Sequence, residues 1–427
     1  MSFELRHYQK AIVVQAKSIL KQLGMVYLAM EVRTGKTFCA LFICEGATDV
    51  LFVTKKKAMP SIEKDYRDSG MTYNLKVINY ESLHKIPKKG WSVVIIDESH
   101  GLGAYPKPSK RATQLKAIVE ESKCPTIHLS GTPTPESYSQ IFHQFWVNPN
   151  SPFANYKSFY KWAGNINKSN YVNVKQVKRA YGRLANDYSG ANAQMVKEAI
   201  RPFMIHFSQE KAGFTSVIEE EIRYVKMKPS TYALASQLTK DLVVHGKEQV
   251  LLADTPVKLQ SKLHQIYSGT IKFEDGTRKI LDLSKAQYIQ DNFWGEKLAI
   301  FYKFTAEYLA LKEVFGELLC DDIETFDTTN KHIALQIQSG REGTKLSNAD
   351  ALIFYNIDFS ATSYWQGRDR MTTMERKFNK VYWIFSEGGI EDKIHKSVVQ
   401  KKSYTSYYFQ KDFGVKAKRF KQLNLGV

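Results

Sequence analysis

Short, uninterrupted apolar runs punctuate the first third of the chain. Between them lie longer stretches whose apolar positions recur at helical spacing. The runs predict strands at Val26–Met30, Val50–Thr54, Lys76–Asn79, Ser92–Ile96 and Thr126–Ser130, each followed by polar or turn-forming residues. Alternation of this kind predicts a parallel sheet covered by helices, with ligands at the C-terminal ends of its strands. From about 150 to 200 the pattern gives way to aromatic, basic and amide residues (FANYKSFYKWAGNINKSNYVNVKQVKRAYGRL), which predict a mostly helical insertion. EEEIRYVKM predicts a charged strand, and a helix begins at Pro229. IKFEDGTRKIL alternates about Asp275-Gly276 and predicts a hairpin over about 271–280. A second alternating block starts near Lys285 with LAIFYKF, HIALQIQSG, ALIFYNID and VYWIFSEGG. The expected organisation is an α/β lobe over 1–228, a hairpin-bearing linker over 229–285 and a second α/β lobe over 286–427.

A chain of 427 residues exceeds one ordinary core, which agrees with two lobes. Hydrophobic residues at 43% and aromatics at 13% exclude a disordered or low-complexity chain. Lys and Arg number 61 against 43 Asp and Glu, a formal charge of +18 that suits a polyanionic partner or serves solubility alone. The four cysteines show no CxxC and no paired histidines, so neither zinc nor a disulfide framework is predicted. No apolar run approaches the roughly 18 residues that span a bilayer, and the N-terminus has no apolar signal core, so a cytoplasmic protein without a membrane partner is expected.

Chemistry-bearing residues gather where the strands end. AMEVRTGKT (Ala29–Thr37) follows one strand and opens an apolar helix, an arrangement in which backbone N–H groups and the helix dipole face an anion. Lys36 would reach the β- and γ-phosphates of ATP, and Thr37 would hold Mg²⁺ through its hydroxyl. Arg33, Thr34 and Gly35 complete the loop, although Met30 stands where the full GxxxxGK[ST] pattern has glycine. VVIIDESH (Val93–His100) ends in two carboxylates, Asp97 for Mg²⁺ and Glu98 to polarise the attacking water. A lone acidic pair would otherwise read as the cap of the next helix.

GKT, DESH and LSGTP (Leu129–Pro133) follow one another in the order and spacing of the first lobe of superfamily 2 helicases, and the chain resembles their SNF2-type DNA translocases, especially bacteriophage-encoded ones. QSGREGTKLSNADALIFYNIDFSATSYWQGRDR (Gln338–Arg370) resembles the second-lobe run of that family. The resemblance implies two RecA-like P-loop lobes. It implies an adenine-reading motif in LRHYQ, with Arg6, Tyr8 and Gln9 around the base, and Gly343 in the glycine-rich turn near the nucleotide. Nucleic-acid contacts would come from Lys55, Lys56, Asn79, Tyr80, Ser339 and Lys345, and coupling from Ser130 and Thr132. IRPFMI (Ile200–Ile205) and GGIEDKIHKSVVQKK (Gly388–Lys402) resemble its lobe-junction and terminal helices, and LHQIYSGTIKFEDG suggests the phage branch. Gln366 and Arg370 would act on the transferring phosphoryl group, with Arg368 as a further candidate. The implied activity is nucleic-acid-stimulated ATP hydrolysis driving movement along DNA, duplex preferred over single strand and DNA preferred over RNA.

One departure stands out. The family carries arginines four and seven positions after the glutamine. From Gln366 the first falls on Arg370, but the second falls on Thr373. Arg368, Arg376 and Arg341 are nearby cations, none at the expected spacing. An RNA helicase and a motor relic that binds without efficient turnover are the rival readings.

Overall fold

The computed structural model describes residues 4–178, 184–246, 249–340, 346–373 and 375–400. The chain divides into two compact units, with the boundary between Phe214 and Thr215. In the first, the strands are β1 (Met25–Met30), β2 (Asp49–Thr54), β3 (Asn74–Asn79), β4 (Val93–Ile96), β5 (Thr126–Leu129), β6 (Lys175–Lys178), β7 (Leu184–Asp187) and β8 (Met204–Phe207). Six of them form one parallel sheet in the order β3-β2-β4-β5-β1-β8. β1 and β4 are buried at every position, because a parallel strand covered on both faces has no solvated side to mark with polar residues.

The two faces bury different helices. Val50 and Phe52 pack with the helices His7–Leu23 and Lys36–Ile43, while Leu51 and Val53 pack with the helix Lys110–Ser122. Only β5 separates β1 from β4, so the phosphate loop and the paired carboxylates leave the same end of the sheet one strand apart. This is the RecA-like order.

The expectation of a mostly helical insertion over 150–200 is corrected. The segment holds two short helices, Phe159–Ala163 and Ala193–Ile200, and between them the antiparallel pair β6 and β7, with Lys175 opposite Asp187 and Lys178 opposite Leu184. Three of its aromatics are core: Phe153, Phe159 and Trp162 pack with Phe142, Phe145 and Tyr27, whereas Tyr160 is exposed.

In the second unit the strands are β9 (Val217–Val225), β10 (Val243–His245), β11 (Val250–Leu252), β12 (Thr270–Lys272), β13 (Arg278–Ile280), β14 (Leu298–Tyr302), β15 (Leu319–Cys320), β16 (His332–Gln336), β17 (Ala351–Phe354) and β18 (Phe378–Ser386). A second parallel sheet runs β15-β16-β14-β17-β18-β9. β9 pairs with β18 along its whole length, Val217 opposite Phe378 and Val225 opposite Ser386. It is therefore the edge of the second sheet, and the first lobe ends near 214 rather than at 228. Charges suit such an edge, and the exposed Glu220 is tied down there: it accepts from Tyr364 Oη at 2.8 Å, Trp383 Nε1 at 3.0 Å and Arg368 Nη1 at 2.6 Å.

The segment 229–285 likewise belongs to this unit, since Ala235, Leu238, Leu259, Leu263 and Ile266 share a core with Phe301, Leu352 and Trp383 of the sheet. Beneath it Lys285 and Glu391 form a fully buried ion pair at 2.7 Å. Removing one partner strands a charge, so Lys285→Met is expected to lower the unfolding free energy by about 3–5 kcal/mol. Lys285→Met/Glu391→Leu should recover most of that loss in denaturant titrations, because the pair's desolvation cost disappears with it. A double variant as unstable as the single one would contradict this account.

Candidate active site

The phosphate loop adopts its conformation through two left-handed residues. Arg33 has φ 62° and Gly35 φ 83°. Glycine is favoured at 35 by this backbone state, and a Cβ there would also displace Gln9 Nε2, 2.0 Å away. Arg33 bears the strain that glycine would avoid. Lys36 Nζ is bound by loop carbonyls, Met30 O at 2.8 Å and Glu31 O at 3.0 Å. Thr34 is buried, and its hydroxyl donates to Glu31 O at 2.7 Å.

The LRHYQ residues brace this loop. Tyr8 Oη and Gln9 Nε2 donate to Thr34 O at 3.1 and 3.3 Å, and Gln9 Oε1 accepts from Arg6 N at 2.9 Å. Tyr8 also stacks on Phe207 with ring centroids 4.7 Å apart. Gln9 is thus buried against the loop, a positioning role absent from the base-reading expectation.

At the end of β4, Asp97 Oδ2 accepts from Thr54 Oγ1 at 2.7 Å, and Tyr80 Oη donates to the Asp97 carbonyl. Burial, then the neighbouring Glu98 charge, raises the Asp97 carboxyl above its ordinary range. Burial also works against a charge on Glu98. The His100 hydrogen bond and the charges of His100, Lys36 and Lys55 outweigh it and hold that carboxyl low. Glu98 itself is left-handed, φ 49°, a backbone state that a non-glycine residue adopts only where its surroundings impose it.

His100 Nδ1 lies 3.2 Å from Glu98 Oε2 and 3.0 Å from Ser130 Oγ, and Ser130 Oγ accepts from Thr132 N at 3.1 Å. One imidazole nitrogen therefore joins the carboxylate to the LSGTP segment. Behind it runs a buried chain that the sequence reading missed. Asn148 Nδ2 donates to Thr126 Oγ1, Thr126 and Ser99 flank the two nitrogens of His128 at 3.1 Å each, and Ser99 Oγ donates to Ile96 O. A neutral His128 with its proton on Nδ1 satisfies every member, and burial lowers its pKa to about 3.

One expected nucleic-acid contact, Tyr80, is corrected, and a second, Asn79, also caps a turn. Tyr80 is buried, its ring covered by Arg111 at 5.5 Å and its hydroxyl spent on Asp97, so it positions the carboxylate strand. Asn79 Oδ1 caps the following 3-10 turn by accepting from Ser82 N at 2.9 Å. Lys55 is half-buried and Lys56 exposed just beyond β2, and Lys55 contributes to the field at Glu98. Arg341, Gly343, Lys345 and the basic tail lie outside the described residues, as does the side chain of Ser339.

In the second unit Gln366 is buried with no hydrogen-bond partner for Oε1. Arg368 pairs with Glu220 and lies over the Trp365 ring at 4.2 Å. Arg376 is committed to carbonyls, donating to Ser347, Ala349, Asp350 and Phe378 at 3.2, 2.5, 2.8 and 3.0 Å. Thr373 accepts from Ser216 Oγ through its carbonyl and from Arg376 N through its hydroxyl. Arg376 therefore holds a loop together through these carbonyls.

A divalent cation fits the first unit's donors. Among the described residues no group of three or more His, Cys, Asp or Glu could hold a metal, whereas Mg²⁺ characteristically takes one or two protein oxygens and completes its shell with phosphate and water. Asp97, half-buried with its carboxyl raised by burial and the Glu98 charge, and the Thr37 hydroxyl would supply that number. No helix among the described residues is long and apolar enough to cross a membrane.

No family model matches the chain, and no curated protein matches it. Among solved structures, the Sulfolobus solfataricus SWI2/SNF2 ATPase core in complex with dsDNA aligns over 99% of this chain and 97% of its own, at 17% identity and a TM-score of 0.43.

Proposed function

We propose that the chain is a nucleic-acid-stimulated ATPase, a DNA translocase or helicase of SNF2-like superfamily 2 type, related to those of bacteriophages. The observation that carries this reading is the junction at Glu98: a half-buried, left-handed carboxylate one strand from a GKT loop and linked through His100 to Ser130. A structural acidic cap would need none of these features.

In this reading Lys36 exchanges its loop carbonyls for phosphate oxygens, and Glu98 accepts the proton of the attacking water. Thr37 and Asp97 would hold Mg²⁺, which would supply charge neutralisation at the phosphates. Arg6, Tyr8 and Gln9 flank the adenine. Gln366 and Arg370 of the second unit meet the developing phosphoryl charge, and His100, Ser130 and Thr132 pass the change at Glu98 to the strand-binding surface that includes Lys55 and Lys56. DNA is preferred to RNA on the DESH and QGRDR patterns.

Steady-state ATP hydrolysis with no nucleic acid, duplex DNA, single-stranded DNA or RNA tests the reading. Strong stimulation by DNA is expected, duplex above single strand. Stimulation by RNA alone would redirect the track, and absence of hydrolysis despite DNA binding would identify a motor relic.

A further inference from the structure

The antiparallel hairpin β12–β13 has no part in the chemistry above, yet it is firmly built. Lys272 N donates to Gln265 Oε1 at 2.8 Å, and the nearly buried Lys262 ammonium donates to the Lys272 carbonyl and pairs with Glu274 at 3.2 Å. Its register sets Lys272 directly opposite Arg278. Directly opposed residues project from the same face, so two like charges are held side by side, an arrangement that costs stability unless an anion lies between them.

Both residues line one cavity of about 170 Å³ at the C-terminal ends of β14 and β16, with Gln265, Thr270, Thr305 and Gln336 as further polar lining. No carboxylate lines it. Lys303, which also lines it, is already paired with Asp358, so the uncompensated charge comes from the hairpin. The hairpin's two acidic residues are engaged elsewhere: Glu274 by Lys262, and Asp275 by Thr277 N at 2.8 Å and Gln249 Nε2 at 3.4 Å. The N–H groups that open the helix Thr305–Phe315 are taken up in part by Glu307, whose Oε2 accepts from Lys303 N and Phe304 N, so recognition in the cavity falls to side chains.

We infer that Lys272 and Arg278 form a phosphate clamp for a nucleic-acid backbone, the hairpin serving as an auxiliary strand guide on the second unit. The inference rests on the nucleic-acid-motor reading and adds a contact on an element that reading leaves idle. An opposed Lys–Arg pair grips two phosphate oxygens at once without reading bases, so the clamp is indifferent to sequence.

The test is fluorescence anisotropy of a labelled DNA duplex, with wild type and Lys272→Ala/Arg278→Ala, titrated between roughly 50 and 200 mM salt. The double variant is expected to bind on the order of ten-fold more weakly, with a log–log salt slope shallower by about two. Its melting temperature without DNA should equal or exceed that of wild type, because the repulsion is gone; a merely structural hairpin pair would lower it. Unchanged affinity and slope beside a wild type that binds overturns the clamp alone. A wild type that binds no nucleic acid overturns the motor reading and the clamp with it.

Discussion

Glu98→Gln is expected to slow nucleic-acid-stimulated ATP hydrolysis by roughly 10²- to 10⁴-fold, the range of a positioned general base, while the protein stays folded and still binds nucleotide. The amide keeps the shape of the side chain and can still meet His100, so the loss isolates proton acceptance from positioning. Stability at neutral pH should fall modestly, because His100, Lys36 and Lys55 hold the carboxyl low and the fold gains from its charge. Burial opposes the Glu98 charge and its backbone is held left-handed, a combination that natural proteins retain where function demands it. Turnover and denaturation midpoint measured together decide the matter. A variant that turns over normally removes Glu98 from the mechanism, and one that loses turnover only in step with stability makes it structural.

The sheet centres were legible because burial on both faces leaves an unbroken apolar run that ends where the polar chemistry begins. VVII followed by Asp97 and Glu98 is such a case. What escaped depended on residues far apart in the chain. β9 is charged and reads as an isolated strand, and its partner β18 lies more than a hundred residues on, so nothing local assigns it to the second sheet. The same distance hid Glu220, whose three donors come from Tyr364, Arg368 and Trp383.

Side-chain direction was equally illegible. Asn79 and Tyr80 follow a strand end, as strand-tracking residues would, but the pleat and the 3-10 turn send the tyrosine inward to Asp97. Thr54 is the exception, a lone hydroxyl that closes the apolar run VLFV and so marks itself in the sequence. His128 sits in the middle of a buried strand with nothing in the sequence to separate it from a tolerated core histidine. The insertion misled because aromatic packing, rather than helical periodicity, organises it.

Three arginines near the end of the second-lobe motif should separate cleanly when each is changed to alanine. Arg370→Ala is expected to lower turnover by about 10³-fold or more, the scale of an arginine that meets transferring phosphoryl charge, with the denaturation midpoint nearly unchanged. Arg376→Ala should do the reverse. Its guanidinium closes the 347–350 loop through carbonyl oxygens that would be left without this donor, so about 2–4 kcal/mol of stability should go, and turnover should fall only as far as folding does. Arg368→Ala should cost about 1 kcal/mol, because its partner Glu220 keeps the hydroxyl of Tyr364 and the indole of Trp383 as donors. The order of turnover loss, measured at saturating ATP and DNA beside each midpoint, is the discriminating result. If Arg368→Ala is the most damaging at unchanged stability, the motif's register shifts by two residues. If none of the three affects turnover beyond its effect on folding, the phosphoryl charge is met from outside this motif, and Thr373 then marks the loss of both family arginines from catalysis rather than one.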